Sequence, residues 1–168
     1  MSQIITKTID ALQDINERVP GIEAAPHIDE SPESLDTYIL PVALTDISRG
    51  TEWGLFTDGR VQMTVVVSVY LRSFNQEYLG DIRQAVHVLA DAFRDKYRDE
   101  ATYLYDDGTQ GLICDDELQA WIQQGRRMSF SGYTRLEFPL GSQKFYHGFT
   151  LTFGVVGTDV TCDEDNTD

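Results

Sequence analysis

The segment from Val61 to Leu71, VQMTVVVSVYL, constrains this chain more than any other. Val61, Met63, Val65, Val67, Val69 and Leu71 alternate without a break, and β-branched residues dominate. That is the period of a strand burying one face. At about 3.3 Å per residue the segment reaches roughly 36 Å, well past the common strand of about 5–6 residues. Its other face, Gln62, Thr64, Val66, Ser68, Tyr70 and Arg72, is mixed. One apolar and one mixed face predict an antiparallel sheet with one side on a core and the other wet or against a partner.

The flanking patterns supply what covers the apolar face. From Ile4 to Val19, Ile5, Ile9, Leu12, Ile15 and Val19 form a helical stripe, with Ser2 as a candidate cap and Pro20-Gly21 as the stop. From Gly80-Asp81 onward, Ile82, Val86, Leu89 and Phe93 repeat at helical spacing, flanked by Ala85, Ala92 and Tyr97. Between the first helix and the long strand lie an acidic segment, IEAAPHIDESPESLD, expected to be an exposed linker, and a strand, YILPVAL, whose Pro41 marks an edge or bulge. Asp58-Gly59 signals a hairpin turn just before Val61. A second hairpin closes the domain, Tyr133 to Leu140 and Phe145 to Val155, joined by GSQK. The predicted class is therefore α+β, a mainly antiparallel β-sheet with a long β-hairpin, packed against two amphipathic helices. Residues 1–156 form one domain. An irregular insert occupies about 99–132, with a short strand near Tyr103, a turn at Asp107-Gly108 and a helix over Asp115 to Gln124. Residues 157–168 are acidic and aperiodic and are expected to be disordered.

Composition narrows the functional classes. A length of 168 residues suits one domain with a real core, and 41% hydrophobic residues argue against wholesale disorder. A net charge of −15 opposes direct binding to nucleic-acid phosphates, which needs a basic surface to release counterions. No apolar run reaches the ~18 residues of a membrane helix, and the N-terminus lacks the pattern of a signal peptide. Cys114 and Cys162 are far apart in sequence, one in a polar tail, and are expected as reduced thiols.

Catalytic signatures are missing. The sequence holds no glycine-rich phosphate loop, nucleophile elbow or zinc spacing. His27, His87 and His147 are scattered over predicted loop, helix and strand and read as surface or structural residues. The acid clusters Asp106-Asp107 and Asp115-Asp116-Glu117 suit turns and caps better than a cation, whose oxygen ligands must converge. No catalytic residue, cofactor or metal is expected. What remains is interaction chemistry. Trp53 and Phe56 either pack on their own hairpin or anchor a neighbouring subunit, where aromatics are enriched. Tyr70 and Arg72, on the mixed strand face, and the adjacent pair Arg126-Arg127 complete the candidate interface with a neighbouring subunit.

The N-terminal helix followed by PGIE, the run from ILPVAL to VQMTVVVSVYL, the helix IRQAVHVLADAFRDKY and the strand FYHGFTLTFGVV together resemble one family. It is the tail-terminator, or tail-completion, family of long-tailed bacteriophages. The resemblance covers about residues 1–156, and the insert at 99–132 is longer than the family pattern. It implies a virion protein of the tail and neck, assembled in the host cytoplasm and not an enzyme. Such proteins form a ring, usually of six subunits, that caps the tail tube and offers the docking surface for the head. The implied partners are further copies of the chain, the tail tube protein and a head-tail connector protein. Genomic DNA would pass through without tight binding, and no membrane is involved. A head-tail connector, neck or tail tube protein is the nearest alternative. A small acidic metal-dependent enzyme is the alternative of a different class.

Overall fold

The computed structural model describes residues 2–30, 32–47, 54–55, 60–74, 79–100, 103–104, 110–114, 119–122 and 129–158. Two strands form the spine of the sheet. β3 (Val61–Ser73, 13 residues) and β9 (Phe145–Thr158, 14 residues) pair antiparallel along almost their whole length. Their register sets Met63 opposite Val155, Val65 opposite Phe153, Val67 opposite Leu151 and Val69 opposite Phe149. The two apolar faces thus coincide, and every one of these eight side chains is buried. Cross-strand pairs of β-branched and aromatic residues of this kind are the stabilising unit of a sheet.

Short strands line both flanks. β1 (Val42–Ile47) and β2 (Gly54–Leu55) pair with the outer edge of β3. Along the other edge of β9 run β8 (Thr134–Glu137), β7 (Ser129–Phe130) and β6 (Gln119–Ile122), in that order from its start to its end. Beyond β6 lie β5 (Gln110–Cys114) and β4 (Tyr103–Leu104). All of these strand pairings are antiparallel, as the hydrophobic alternation predicts.

Two helices, α1 (Ser2–Glu17) and α2 (Leu79–Glu100), cover the apolar face. In α2 the buried residues are Ile82, Val86, Leu89, Ala90, Phe93 and Tyr97, the predicted stripe with Ala90 beside it and Tyr97 drawn fully into the core. Phe93 meets Phe149 edge-on at 6.1 Å, and Tyr97 meets Phe153 at 5.3 Å. On the solvent side Arg94 pairs with Asp91 and Arg98 with Asp95, exposed contacts worth tenths of a kcal/mol each at about i,i+3 spacing.

Four expectations are corrected. YILPVAL is not one strand: a cis peptide joins Leu40 to Pro41, and β1 begins only at Val42. The helix expected over Asp115 to Gln124 does not form, because Gln119–Ile122 is β6, completing the edge of β9 near Val156. Pairing with β9 outweighs a capping signal for a segment this short. The domain boundary at residue 157 falls inside β9, since Gly157 pairs with Val61 and Thr158 with Gln119. The acidic connection after α1 is also more ordered than a linker. It buries Ala25 and Leu35, forms single 3-10 turns at Ile28–Glu30 and Leu35–Thr37, and bridges β1 through Ala24 and Val42. The turns at Asp58-Gly59 and Asp107-Gly108, the acid clusters at 106–107 and 115–117, Cys162 and the tail from residue 159 lie outside the described residues, as does the side chain of Cys114.

Beneath α1 sits a buried polar network that links three elements. Asn16 Nδ2 donates to Gln13 Oε1 at 2.8 Å and to Thr45 Oγ1 at 2.9 Å. Thr45 Oγ1 donates to Gln13 Oε1 at 2.7 Å, and Gln13 Nε2 donates to the carbonyls of Pro26 at 2.8 Å and Ala43 at 3.0 Å. Tyr97 closes the network by donating its hydroxyl to Asn16 Oδ1, and burial pushes its phenol well above the ordinary range. Satisfied in this way, the polar groups fix α1 against β1 and α2 rather than costing stability. Tyr97→Phe leaves Asn16 Oδ1 short of a donor in a dry site. The expected loss is about 1–3 kcal/mol in a urea melt, with the fold retained.

Candidate functional site

Of the six candidate interface residues, Trp53, Phe56, Arg126 and Arg127 lie outside the described residues. The structure separates the other two. Tyr70 is not available to a neighbour: it is 6% exposed, enclosed by Leu35, Val42 and Tyr146. Phe138 meets its ring edge-on at 5.4 Å and Tyr146 at 5.7 Å. Burial, with smaller opposition from Ser68, pushes its phenol up to about 12. The mixed strand face is therefore closed at this end by a second, smaller core that the period-2 pattern of β3 did not announce. Of its covering residues, Leu35 comes from the connection expected to be exposed, and Tyr38 and Leu40 from the segment expected as a strand.

Arg72 is exposed and makes no ion pair among the described residues. It stands at the mouth of a groove of about 380 Å³. Pro20-Gly21 and Leu40-Pro41 form one wall, and Ala85, Val88 and Leu89 of α2 form the other. The sequence places this groove through its breakers, because the α1 stop and the cis proline both end there. Two large apolar side chains stand out in solvent here and nearby, Val88 at 65% and Ile39 at 75% exposure. Away from the closed end, the second sheet face presents Thr64, Val66, Ser68, Thr150 and Thr152, all half-buried. This is a flat, mildly polar surface of the kind two chains can share.

The three histidines divide by environment. His147 is buried, its ring stacked on Phe74 at 4.8 Å and its Nδ1 2.7 Å from the Tyr133 hydroxyl. Arg135 lies beside it, with its guanidinium 4.5 Å from the Phe74 ring centre and 3.7 Å from that of Phe145. These contacts anchor the start of β9 to β8, a structural role. His87 is exposed and meets the Phe130 ring edge at 6.0 Å. His27 pairs with Asp14 and ties the acidic connection to α1, where Ile28 N also donates to Asp10 Oδ1 at 2.9 Å.

The hydrogen bond to Asp14, helped by the charges of Asp14, Asp10 and Glu30, raises the His27 imidazole above its ordinary 6.5, while desolvation opposes the shift. A raised folded value means the pairing stabilises the fold fully below the unfolded value. That stabilisation is lost as pH rises through the folded value. Wild type should lose a small increment of stability between about pH 6 and 8 that His27→Gln does not lose. Urea midpoints of the two proteins across that range give the comparison. Parallel curves would show that the pair contributes nothing.

Among the described residues no group of three or more His, Cys, Asp or Glu is placed to hold a metal ion. No described helix is long and apolar enough to cross a membrane. The described acids sit mainly on the helices and the connection after α1, and β1 contributes only Asp46. What the arrangement offers is surface: an apolar groove with a cation at its mouth, a threonine-rich sheet face, and the edge of β1. No family model matches the chain, and no curated protein matches it.

Proposed function

We propose that the protein is a phage tail terminator, a ring-forming structural subunit that caps the tail tube and provides the surface for head joining. The observation that carries this reading is the resemblance in element order and pattern over residues 1–156, with the 13- and 14-residue strands of its spine. The half-polar sheet face suits a repeated subunit contact. A closed ring needs two different surfaces on each copy, and the groove at Arg72 and the Thr/Ser face are separate patches. The net charge of −15 suits a ring through which DNA passes, because like charges keep the duplex off the walls.

The insert at 99–132 adds β4, β5 and β6 to one flank of the sheet, which keeps the connector or neck reading as the second choice. One experiment decides between them. Mixed with uncapped tails of its own phage, the protein should stop tube growth and make the tails competent for heads. Tails that keep growing, or protein located on the portal side in micrographs, would move the assignment to the connector. Tight binding to duplex DNA at about 150 mM salt would count against both readings.

A further inference from the structure

The outer edge of β1 is only partly occupied. Ala43 N donates to Ala24 O at 3.0 Å, so the amide of Ala43 points away from β3. In an antiparallel pair the outward groups recur every second residue, so the N–H and C=O of Thr45 also point outward, as does the N–H of Ile47. Ala43 N, Ala43 O and Ile47 N each have a partner. Gln13 Nε2 donates to Ala43 O, and Ile47 N donates to its neighbour Asp46 Oδ1 at 2.7 Å. The connection that began to pair with this edge leaves at Pro26, which has no N–H to continue. Among the described residues, the N–H and C=O of Thr45 are left open as a matched donor and acceptor.

A groove of about 350 Å³ lies along this same stretch. Leu44, Thr45 and Asp46 form its floor, Ile9 and Gln13 of α1 line one side and Phe138-Pro139 the other, and Pro26, Ile28 and Pro32 complete it. The groove straddles the sheet edge, since Thr45 joins the network under α1 while Leu44 packs with the second core. An added strand would have its two rows of side chains received on opposite sides of the sheet. Among the described residues Asp46 is the only charged one lining it, exposed, on a protein of net charge −15.

We propose that this edge binds an extended segment of a partner chain, paired through Thr45 and carrying a lysine or arginine beside an apolar residue. The backbone pair supplies the fit for an extended chain, and the Asp46 carboxylate with the surrounding negative field selects a basic one. The site is short, so the contact is a clamp of a few residues. The inference does not depend on the tail-capping reading and would hold for any other role of the chain.

The test uses the full chain, labelled for amide NMR, and three capped probes: Val-Lys-Val-Lys-Val-Lys, its glutamate counterpart, and the lysine peptide with N-methylated central residues. The lysine peptide is expected to shift the Thr45 amide and slow its exchange, and the glutamate peptide to bind at least tenfold more weakly. N-methylation should abolish the effect, because it removes the backbone donors without changing charge. Asp46→Asn should remove the preference for lysine while leaving the melting temperature near wild type, and Asp46→Lys should reverse it. A Thr45 amide that no peptide moves, or equal binding of the lysine and glutamate peptides, overturns the proposal. So does a Thr45 shift that grows with protein concentration alone, which would assign the edge to a second copy of this chain.

Discussion

Val67→Asp is expected to yield no soluble folded protein. Val67 is wholly buried in the middle of β3, opposite Thr45 on one side and Leu151 on the other, inside the main core. A carboxylate there loses water and gains no partner, at a cost of several kcal/mol even if it takes up a proton. Whole domains are stable by only about 5–15 kcal/mol, so one such group consumes most of the margin. The adjacent Val66→Lys serves as the control. Val66 is half-buried on the opposite face and stands across from Asp46, so a cation at that position has both water and a counter-charge. Soluble yield and a thermal melt by circular dichroism separate the two variants. A Val67→Asp protein that melts near wild type would invert the assignment of the two faces.

That assignment was legible because a period of two admits only two answers, and the residues at odd positions from Val61 to Leu71 are apolar without exception. The α2 stripe was legible for the same reason at a period of 3.6. What the periodicities could not convey were contacts between segments distant in sequence. Tyr70 looks like a wet residue on β3 alone, and only Leu35 and Tyr146, brought over it by the fold, make it core. The polar network under α1 had a signal that went unused. Gln13 and Asn16 fall on the same side as Ile9 and Leu12, where a polar residue must find a buried partner. The insert went wrong for a different reason: β6 exists because β9 is long enough to need another partner past β7, a demand no local pattern carries. Of the candidate interface, Arg72 alone is both described and exposed, and the sequence marks its groove through Pro20-Gly21 and Pro41 rather than through any cluster of functional groups.

Gly148→Ala should be strongly destabilising, although it adds only a single methyl group. Gly148 lies in β9 opposite Tyr70, where the register with β3 shifts between Tyr70 and Arg72 and the strands come unusually close. A Cβ at this position would stand 2.0 Å from Val69 O and 2.8 Å from Leu136 Cδ1. Leu136 can rotate away, but Val69 O belongs to the backbone of the central strand and can move only if β3 and β9 part locally. Overpacking costs typically 1–3 kcal/mol when side chains can yield, and a backbone clash belongs at or above the top of that range. For a domain of this size that corresponds to a fall in melting temperature of about 6–12 °C or more. Gly80→Ala is the matched control, since a Cβ there meets nothing within 4 Å and lies in the first turn of α2. The two variants differ by position and not by chemistry, so a calorimetric scan of both isolates the clash. The consequence also reaches the groove. The register shift lies directly beside Arg72, which is among the residues lining the groove, so a forced separation of the strands should displace that arginine. If the proposed tail-capping role holds, Gly148→Ala protein that still folds at low temperature should be impaired in capping as well. Unchanged melting would mean that β3 and β9 are not this close at Gly148, and the register between Tyr70 and Arg72 would have to be redrawn.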